Sequence, residues 1–364
     1  MLQNLRRACA RALCAIPVLS LPALVATSHA QTAASPLKVA FVYVTPVGQA
    51  GWTYQHDLGR REMERALGDA VKTTVVEDVA EGPDAERVMR DLAGQGNRLI
   101  FATSFGYLEA ALRVAAEFPD VRFEHAGGYK TAPNLNTYNV RAYEARWLAG
   151  RLAALNSKSG IAGYVAGFPV PEVVQGINAF TLGMRAVNPK ASVRVVWLNT
   201  WFDPARERDA ALALVNQGAD VLANHTASPA VALAAEEQGV KLIANQSDMR
   251  AFAPHAQLAA VMPSWGGYYT QVVRDAMNGR WQAQPVWGGV RSGMVALGAI
   301  DAALPATQRD AMATASRALV EGRASPFAAP LVDNQGRTRG PRGATLDDSQ
   351  IAGMDWLVQG VVGE

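Results

Sequence analysis

Cysteine is scarce: the chain has two, Cys9 and Cys14, both near the start. No thiol stands beyond them to form a disulfide or a cysteine-based metal site within the body of the chain. Charge of one sign is also lacking. The 34 Lys+Arg nearly balance the 32 Asp+Glu, so there is no electrostatic case for nucleic acid. Long apolar runs are absent after residue 30, although 49% of the chain is hydrophobic and 18% charged. That composition excludes a disordered chain and a membrane bundle. The histidines beyond the start (His56, His125, His225 and His255) are isolated in sequence, so a metal centre has little support and no cofactor is expected.

The first thirty residues differ from the rest. Arg6, Arg7 and Arg11 precede the short apolar run "ALCAIPVLSLPALVA", which Pro17 and Pro22 interrupt, and small residues stand at Ser28 and Ala30. This is the layout of a secretory signal peptide, with cleavage expected after Ala30. Neither cysteine sits in a lipidation box, so a soluble periplasmic protein is expected. Removing 3 of the 34 basic residues leaves 31 against 32 acidic ones, a net charge of −1.

The remainder alternates. Short β-branched or apolar runs at 37–44, 73–77, 99–102, 121–125, 161–165, 193–198, 221–223 and 242–244 read as strands buried on both faces. Helical stretches lie between them. Asp203-Pro204 and Ser228-Pro229 place a cap residue before a proline, and Gly82-Pro83-Asp84 opens another helix. The fold class expected is α/β, with two doubly wound parallel-sheet lobes. The expected division is lobe 1 over 31–140 with a return segment at about 264–285, lobe 2 over 141–263, and a C-terminal segment over 286–364 that wraps them. Crossings are expected near 139–142 and 262–265.

Ligands of such sheets bind beyond the carboxyl ends of the strands. The windows there are 45–52, 103–107, 125–128, 167–169, 199–203, 224–226 and 245–248. They are rich in Trp, Phe, Asn, Gln, His and Thr and poor in Lys and Arg. Aromatic faces beside neutral hydrogen-bonding groups suit a flat heteroaromatic ligand better than a phosphate. Ser104, Phe105 and Gly106 follow one strand, Phe168 another, and Asn224, His225 and Thr226 a third. His125 reads as a structural histidine, and Trp147 and Trp197 as core.

Four stretches carry a resemblance. They are "GWTYQHDLGR" (51–60), "YEARWLAG" (143–150), "NTWFDPARERDAA" (199–211) and "ALVNQGADVL" (213–222). In this order they resemble the basic-membrane-protein family of periplasmic binding proteins, whose known members include purine nucleoside receptors serving ABC transporters. The likeness spans roughly 37 to 279 and is nearest to a branch described as binding adenine.

The resemblance implies a type I periplasmic-binding-protein fold with a hinge. It also implies a purine clamped between Trp52 and Trp201, a membrane permease as partner, and a monomer. Thr53, Tyr54 and Gln55 become edge-pairing or helix-start candidates. Glu144 fits the family's helix glutamate, near the cleft or at the hinge, and Asp203 belongs to the Asp-Pro segment. Where nucleoside-binding members carry an Asp, this chain reads "ANQSDM", with Gln246 in its place and Asp248 retained. "MPSWGGYY" puts Trp265 where a sugar would lie. Both departures imply a free base rather than a nucleoside.

Other classes remain open. "ATSFG" (102–106) approaches a nucleophile elbow around Ser104 but lacks its first glycine. "GQGNRL" (94–99) lacks the third glycine of a dinucleotide loop and precedes a strand. A ligand-binding sensor would use the same fold and the same pocket.

Overall fold

The structure, a computed structural model, describes residues 35–363. The expected signal peptide lies outside them. Among the described residues no helix is long and apolar enough to cross a membrane.

Six parallel strands make the first sheet: β1 (Leu37–Val42), β2 (Val71–Val76), β3 (Leu99–Ala102), β4 (Arg122–Ala126), β5 (Leu135–Val140) and, much later in the chain, β11 (Val286–Gly288). Their spatial order is β2-β1-β3-β4-β5-β11. The second sheet takes β6 (Ile161–Ala166), β7 (Ser192–Trp197), β8 (Val221–His225), β9 (Lys241–Asn245) and β10 (Gln257–Pro263), with β12 (Val295–Gly298) and β15 (Val361–Val362) at its edges. The order is β15-β7-β6-β8-β9-β10-β12, and only β12 runs antiparallel. In each lobe the direction of winding reverses beside the first strand, between β1 and β3 and between β6 and β8. Such switch points open a crevice at the strand ends.

The helices are α1 (Trp52–Leu67), α2 (Pro83–Gly94), α3 (Leu108–Glu117), α4 (Ala142–Asn156), α5 (Pro171–Arg185), α6 (Pro204–Asn216), α7 (Ala230–Gln238), α8 (Gly266–Met277), α9 (Ala306–Val320) and the short α10 (Asp348–Ala352). Proline opens α2, α5 and α6, where its missing N–H costs nothing. Asp203 caps α6 by accepting from Arg206 N at 3.1 Å. The glycine of "YEARWLAG" serves helix packing. A β-carbon on Gly150 would lie 2.0 Å from the Phe180 carbonyl oxygen, and one on Gly183 2.1 Å from that of Trp147. Only glycine lets α4 and α5 approach so closely.

The chain passes between the sheets three times: from β5 into α4, from β10 into α8, and from β11 to β12. The sequence reading named the first two. The return segment extends through Gly288, because Val286–Gly288 pairs with Tyr138–Val140. The tail does more than wrap the surface. Phe327, Leu331, Leu346, Ile351 and Met354 are buried with Tyr143, Val174 and Ala179, and β15 joins the edge of the second sheet beside β7. The hairpin β13 (Leu331–Val332) and β14 (Thr338–Arg339) is tied by Asp333 to Arg337 and Arg339.

Candidate functional site

A cavity lies where the strand ends of the two sheets face each other. The first lobe supplies Val44, Thr45 and Trp52 after β1, Ser104 and Phe105 after β3, and Ala126 and Gly127 at the end of β4. The second lobe supplies Glu172 after β6, Trp201 after β7, His225, Thr226 and Ala227 at β8, and Asn245 and Gln246 at β9. The wall is mainly apolar.

Trp52 begins α1. Its indole nitrogen donates to the Thr103 carbonyl at 2.6 Å. Its ring packs edgewise on His56 at 4.3 Å between centroids, and Trp265 stands 5.9 Å away on the same side. Trp201 meets Phe168 edgewise at 4.9 Å and rests on Gly167, where a β-carbon would come within 2.7 Å of the ring. Each indole is thus braced by its own lobe, and both border the same cavity.

His225 Nε2 stands 3.9 Å from Glu172 Oε1. Burial and the nearby positive Arg146 hold the imidazole well below its usual pKa, so it is neutral. Burial pushes the Glu172 carboxyl upward, against the pull of Asn139 and Arg146. The pair is therefore an imidazole facing a carboxyl, without the two charges of a salt bridge. Arg146 is buried on α4 and donates to the Asn224 carbonyl at 3.2 Å and to Asn245 Oδ1 at 2.6 Å. His225 Nδ1 and Asn245 Nδ2 are buried without a hydrogen-bond partner. Both residues border the cavity, although these two atoms are themselves covered in this structure.

A second carboxylate shapes the loops. Glu207 is fully buried and accepts from Thr226 at 2.8 Å, Ser228 at 2.7 Å and the Asp203 backbone at 3.1 Å. It ties the loop carrying Trp201 to the loop carrying His225. Burial raises its carboxyl, and those donors oppose the rise. Across the cleft, Ser247 Oγ accepts from Gly51 N at 2.9 Å and Gln55 Nε2 at 3.0 Å.

Of the residues expected at the site, Trp52, Ser104, Phe105, Trp201, His225, Thr226 and Gln246 line the cavity. The others lie elsewhere. Thr53 is buried against Thr45, with 2.7 Å between hydroxyls. Tyr54 lies one helix position further on, half-buried and outside the wall. Gly106 donates its N–H to Glu81. Glu144 accepts from Val290 N at 2.7 Å, on the third crossing, so it belongs to the hinge. Phe168 braces Trp201 from behind, and Asp203 is a helix cap. Asn224 turns its amide to Thr226. Asp248 is held by Arg250 and by Gln257 at 2.9 Å.

Trp265 fills no ligand space. It is buried in the first lobe and stacks on His56 at 4.7 Å, because α8 packs against α1. His125 is buried away from the cavity with both ring nitrogens unpartnered, and burial lowers its pKa to about 3. Trp147 and Trp197 are partly buried against the core. The Ser104 hydroxyl donates to Glu81 at 2.6 Å, which is not the imidazole a nucleophilic serine needs. Among the described residues no cluster of His, Cys, Asp and Glu has metal-site geometry.

Sequence reasoning did not single out Glu172, Arg146, Glu207, Asn245 or Ser247, although the last two lie in the 245–248 window. The window after β6 stopped at residue 169. A search carried one residue past the proline that opens α5 would have reached Glu172. Arg146 lies in the quoted "YEARWLAG", but nothing local shows that it is buried.

Two strand-end tryptophans on a shared cavity between doubly wound lobes place the chain among two-lobed binding proteins, and a sequence comparison decides which. The description "Bmp: ABC transporter substrate-binding protein PnrA-like" matches residues 37–321. The chain belongs to this Bmp family. A purine-binding protein of Brucella abortus (strain 2308) is 47% identical over 325 residues, covering 89% of this chain and 93% of that one. A putative ABC transporter glucose-binding protein of Haloferax volcanii is 39% identical over 258 residues, covering 71% of this chain and 66% of that one. An ABC transporter solute-binding protein from Conexibacter woesei superposes with a TM-score of 0.65 at 21% identity, over 79% of this chain and 98% of that one. That last likeness concerns the fold alone, a type I periplasmic-binding-protein architecture.

Proposed function

We propose that this Bmp-family protein captures a purine in the interlobe cavity, prefers the free base adenine to a nucleoside, and hands it to an ABC permease in the inner membrane. The observation that carries this reading is the pair Trp52 and Trp201. One indole from each lobe borders the cavity, and two residues of its wall, His225 and Asn245, each keep a polar atom without a hydrogen-bond partner. The Brucella relative, called purine-binding, supports the ligand class. Stacking is worth about 1–3 kcal/mol per ring face. Two faces and a few hydrogen bonds reach the roughly −8 kcal/mol of a micromolar complex.

The preference for a base over a nucleoside rests on two residues. Gln246 borders the cavity where a nucleoside-binding relative would offer a carboxylate, and Asp248 is spent on Arg250 and Gln257. Trp265 no longer supports it, being buried in the first lobe. The protein acts in the periplasm as a monomeric, non-catalytic receptor: the lobes close around the ligand, and the closed form docks on the permease.

Calorimetry of the protein beginning at Gln31, with adenine, hypoxanthine, guanine, adenosine, inosine and glucose, tests the reading. Adenine is expected to bind most tightly. Binding of glucose but no purine would transfer the ligand class to that of the Haloferax relative. Adenosine binding far above adenine would remove the Gln246 argument.

A further inference from the structure

Glu124 and Glu207 are fully buried and Glu172 is partly buried, and the three differ in how well they are satisfied. Glu124, on β4, accepts from Tyr268 at 2.6 Å, Trp281 at 2.7 Å and Asn136 at 3.2 Å. Glu207 likewise accepts three hydrogen bonds. Glu172 accepts one, from Asn139 Nδ2 to Oε2 at 3.2 Å. Its Oε1 stands 3.9 Å from His225 Nε2, too far for a hydrogen bond. A desolvated carboxylate ordinarily gathers several donors. The under-supplied one is also the one of the three on the cavity wall.

Its surroundings suit a ligand donor. Arg146 only donates, so its 2.6 Å bond to Asn245 Oδ1 determines which way that amide faces. Nδ2 is the end left over, and it has no partner. The second lobe therefore holds an acceptor with spare capacity at Glu172 and a donor without a partner at Asn245. A heterocycle with both a ring nitrogen lone pair and an N–H complements them. Glu172 also borders a wider space between the lobes, beside Thr137, Gln175 and Trp287, so water can serve the carboxylate when no ligand is bound.

We propose that Glu172 is the specificity-determining residue of the cavity, accepting a hydrogen bond from a ring N–H or exocyclic amine of the bound heterocycle. This rests on the purine reading above and names the group that selects within it. Aromatic stacking accepts any flat ring. The carboxylate rejects rings that cannot donate to it, because it would then be buried without enough partners.

Calorimetry at neutral pH of the wild type and Glu172→Gln, against adenine, 9-methyladenine and unsubstituted purine, tests this. The first analogue lacks the ring N–H at position 9, and the second lacks the amine. Glu172→Gln is expected to bind adenine about 10- to 100-fold more weakly, the worth of a hydrogen bond to a charged group. The analogue lacking the donor that Glu172 reads loses a comparable factor against the wild type. Against Glu172→Gln it loses nothing further, as a coupled pair requires.

Adenine affinity kept within about twofold in the variant overturns the inference, since so small a change lies near the limit of additivity. A uniform loss across all three ligands also overturns it, showing a structural role. No purine binding by the wild type removes this inference and the proposed function together. Wild-type binding with an indifferent variant removes this inference alone. Where Glu172→Gln does not fold, Glu172→Asp keeps the charge on a shorter arm. It is expected to show a smaller loss with the same analogue pattern, and its absence counts against Glu172.

Discussion

Gly51 and Ala227 face each other across the cleft with so little room that a β-carbon on Gly51 would sit 2.4 Å from the Ala227 carbonyl oxygen. Gly51 has φ 96°, a region that L side chains rarely enter, and it precedes Trp52 directly. Its N–H donates to Ser247 of the opposite lobe. In the closure proposed above, Gly51 against Ala227 is a contact that the loops after β1 and β8 make across the cleft. Gly51→Ala is expected to weaken ligand binding about tenfold or more through strain and collision. Calorimetry measures the affinity and small-angle scattering the ligand-induced compaction; wild-type values for both would show that closure does not need this contact.

The two tryptophans should be separable. Trp52→Ala and Trp201→Ala are each expected to weaken adenine binding about tenfold or more, by the worth of one stacked face. Trp52→Ala also removes the bond to Thr103 and the contact with His56, so it should lower the melting temperature more than Trp201→Ala. Unchanged affinity in either variant would assign that ring to packing alone.

Arg146 sets the charge state of the polar corner. Its positive charge favours an ionised Glu172 and a neutral His225. In Arg146→Met the Glu172 carboxyl takes up its proton at higher pH, and His225 becomes easier to protonate. Ligand binding that needs the carboxylate is lost as pH falls, so this acid-side loss should move to higher pH in the variant. Titrations of affinity between about pH 5 and 8, the range in which histidine and raised carboxyls change charge, check it. Coincident profiles would mean that Arg146 does not act on Glu172.

Glu124 carries a stability prediction. Desolvation raises its carboxyl to about 7, although three donors oppose the rise. In the unfolded chain the group titrates near the ordinary glutamate value of about 4.3. Between those values the folded state holds the extra proton, so stability is greatest below the lower one and falls as pH rises through the upper. The full effect is on the order of 3 kcal/mol. Glu124→Gln, which cannot titrate, should flatten this slope in denaturant melts taken across the range. An unchanged slope would place the pH dependence elsewhere.

Much of the fold is legible locally. The run "LKVAFV" is β-branched and apolar, and it forms a strand buried from Val39 onward. The long strands β5 and β10 escaped, as did the short β11 and β12. "LNTYNV" of β5 is polar in composition although five of its six residues are buried, because Asn134, Asn136 and Asn139 find partners within the fold. "QLAAVMP" of β10 is rich in alanine and has no strand-like alternation. Position after a strand leads to Trp52, Ser104, Phe105, Trp201, His225, Thr226 and Gln246, which border the cavity. Trp265, put in ligand space by the resemblance alone, lies off the cavity wall because it enters a helix that folds back onto α1. Glu172 escaped because it sits on a helix start beyond the window.

The sequence by itself determined where strands end and which loops carry rings and amides, since burial periodicity, caps and prolines act over a few residues. Only the tertiary structure decided which groups meet. Gly51 and Ser247 are 196 residues apart, and Arg146 and Asn245 are 99 apart. The number of donors a buried carboxylate finds, and hence the spare bond at Glu172, depends on such distant partners. Hydrogen bonding and desolvation act through space, and their outcome is set only once both sheets are in place.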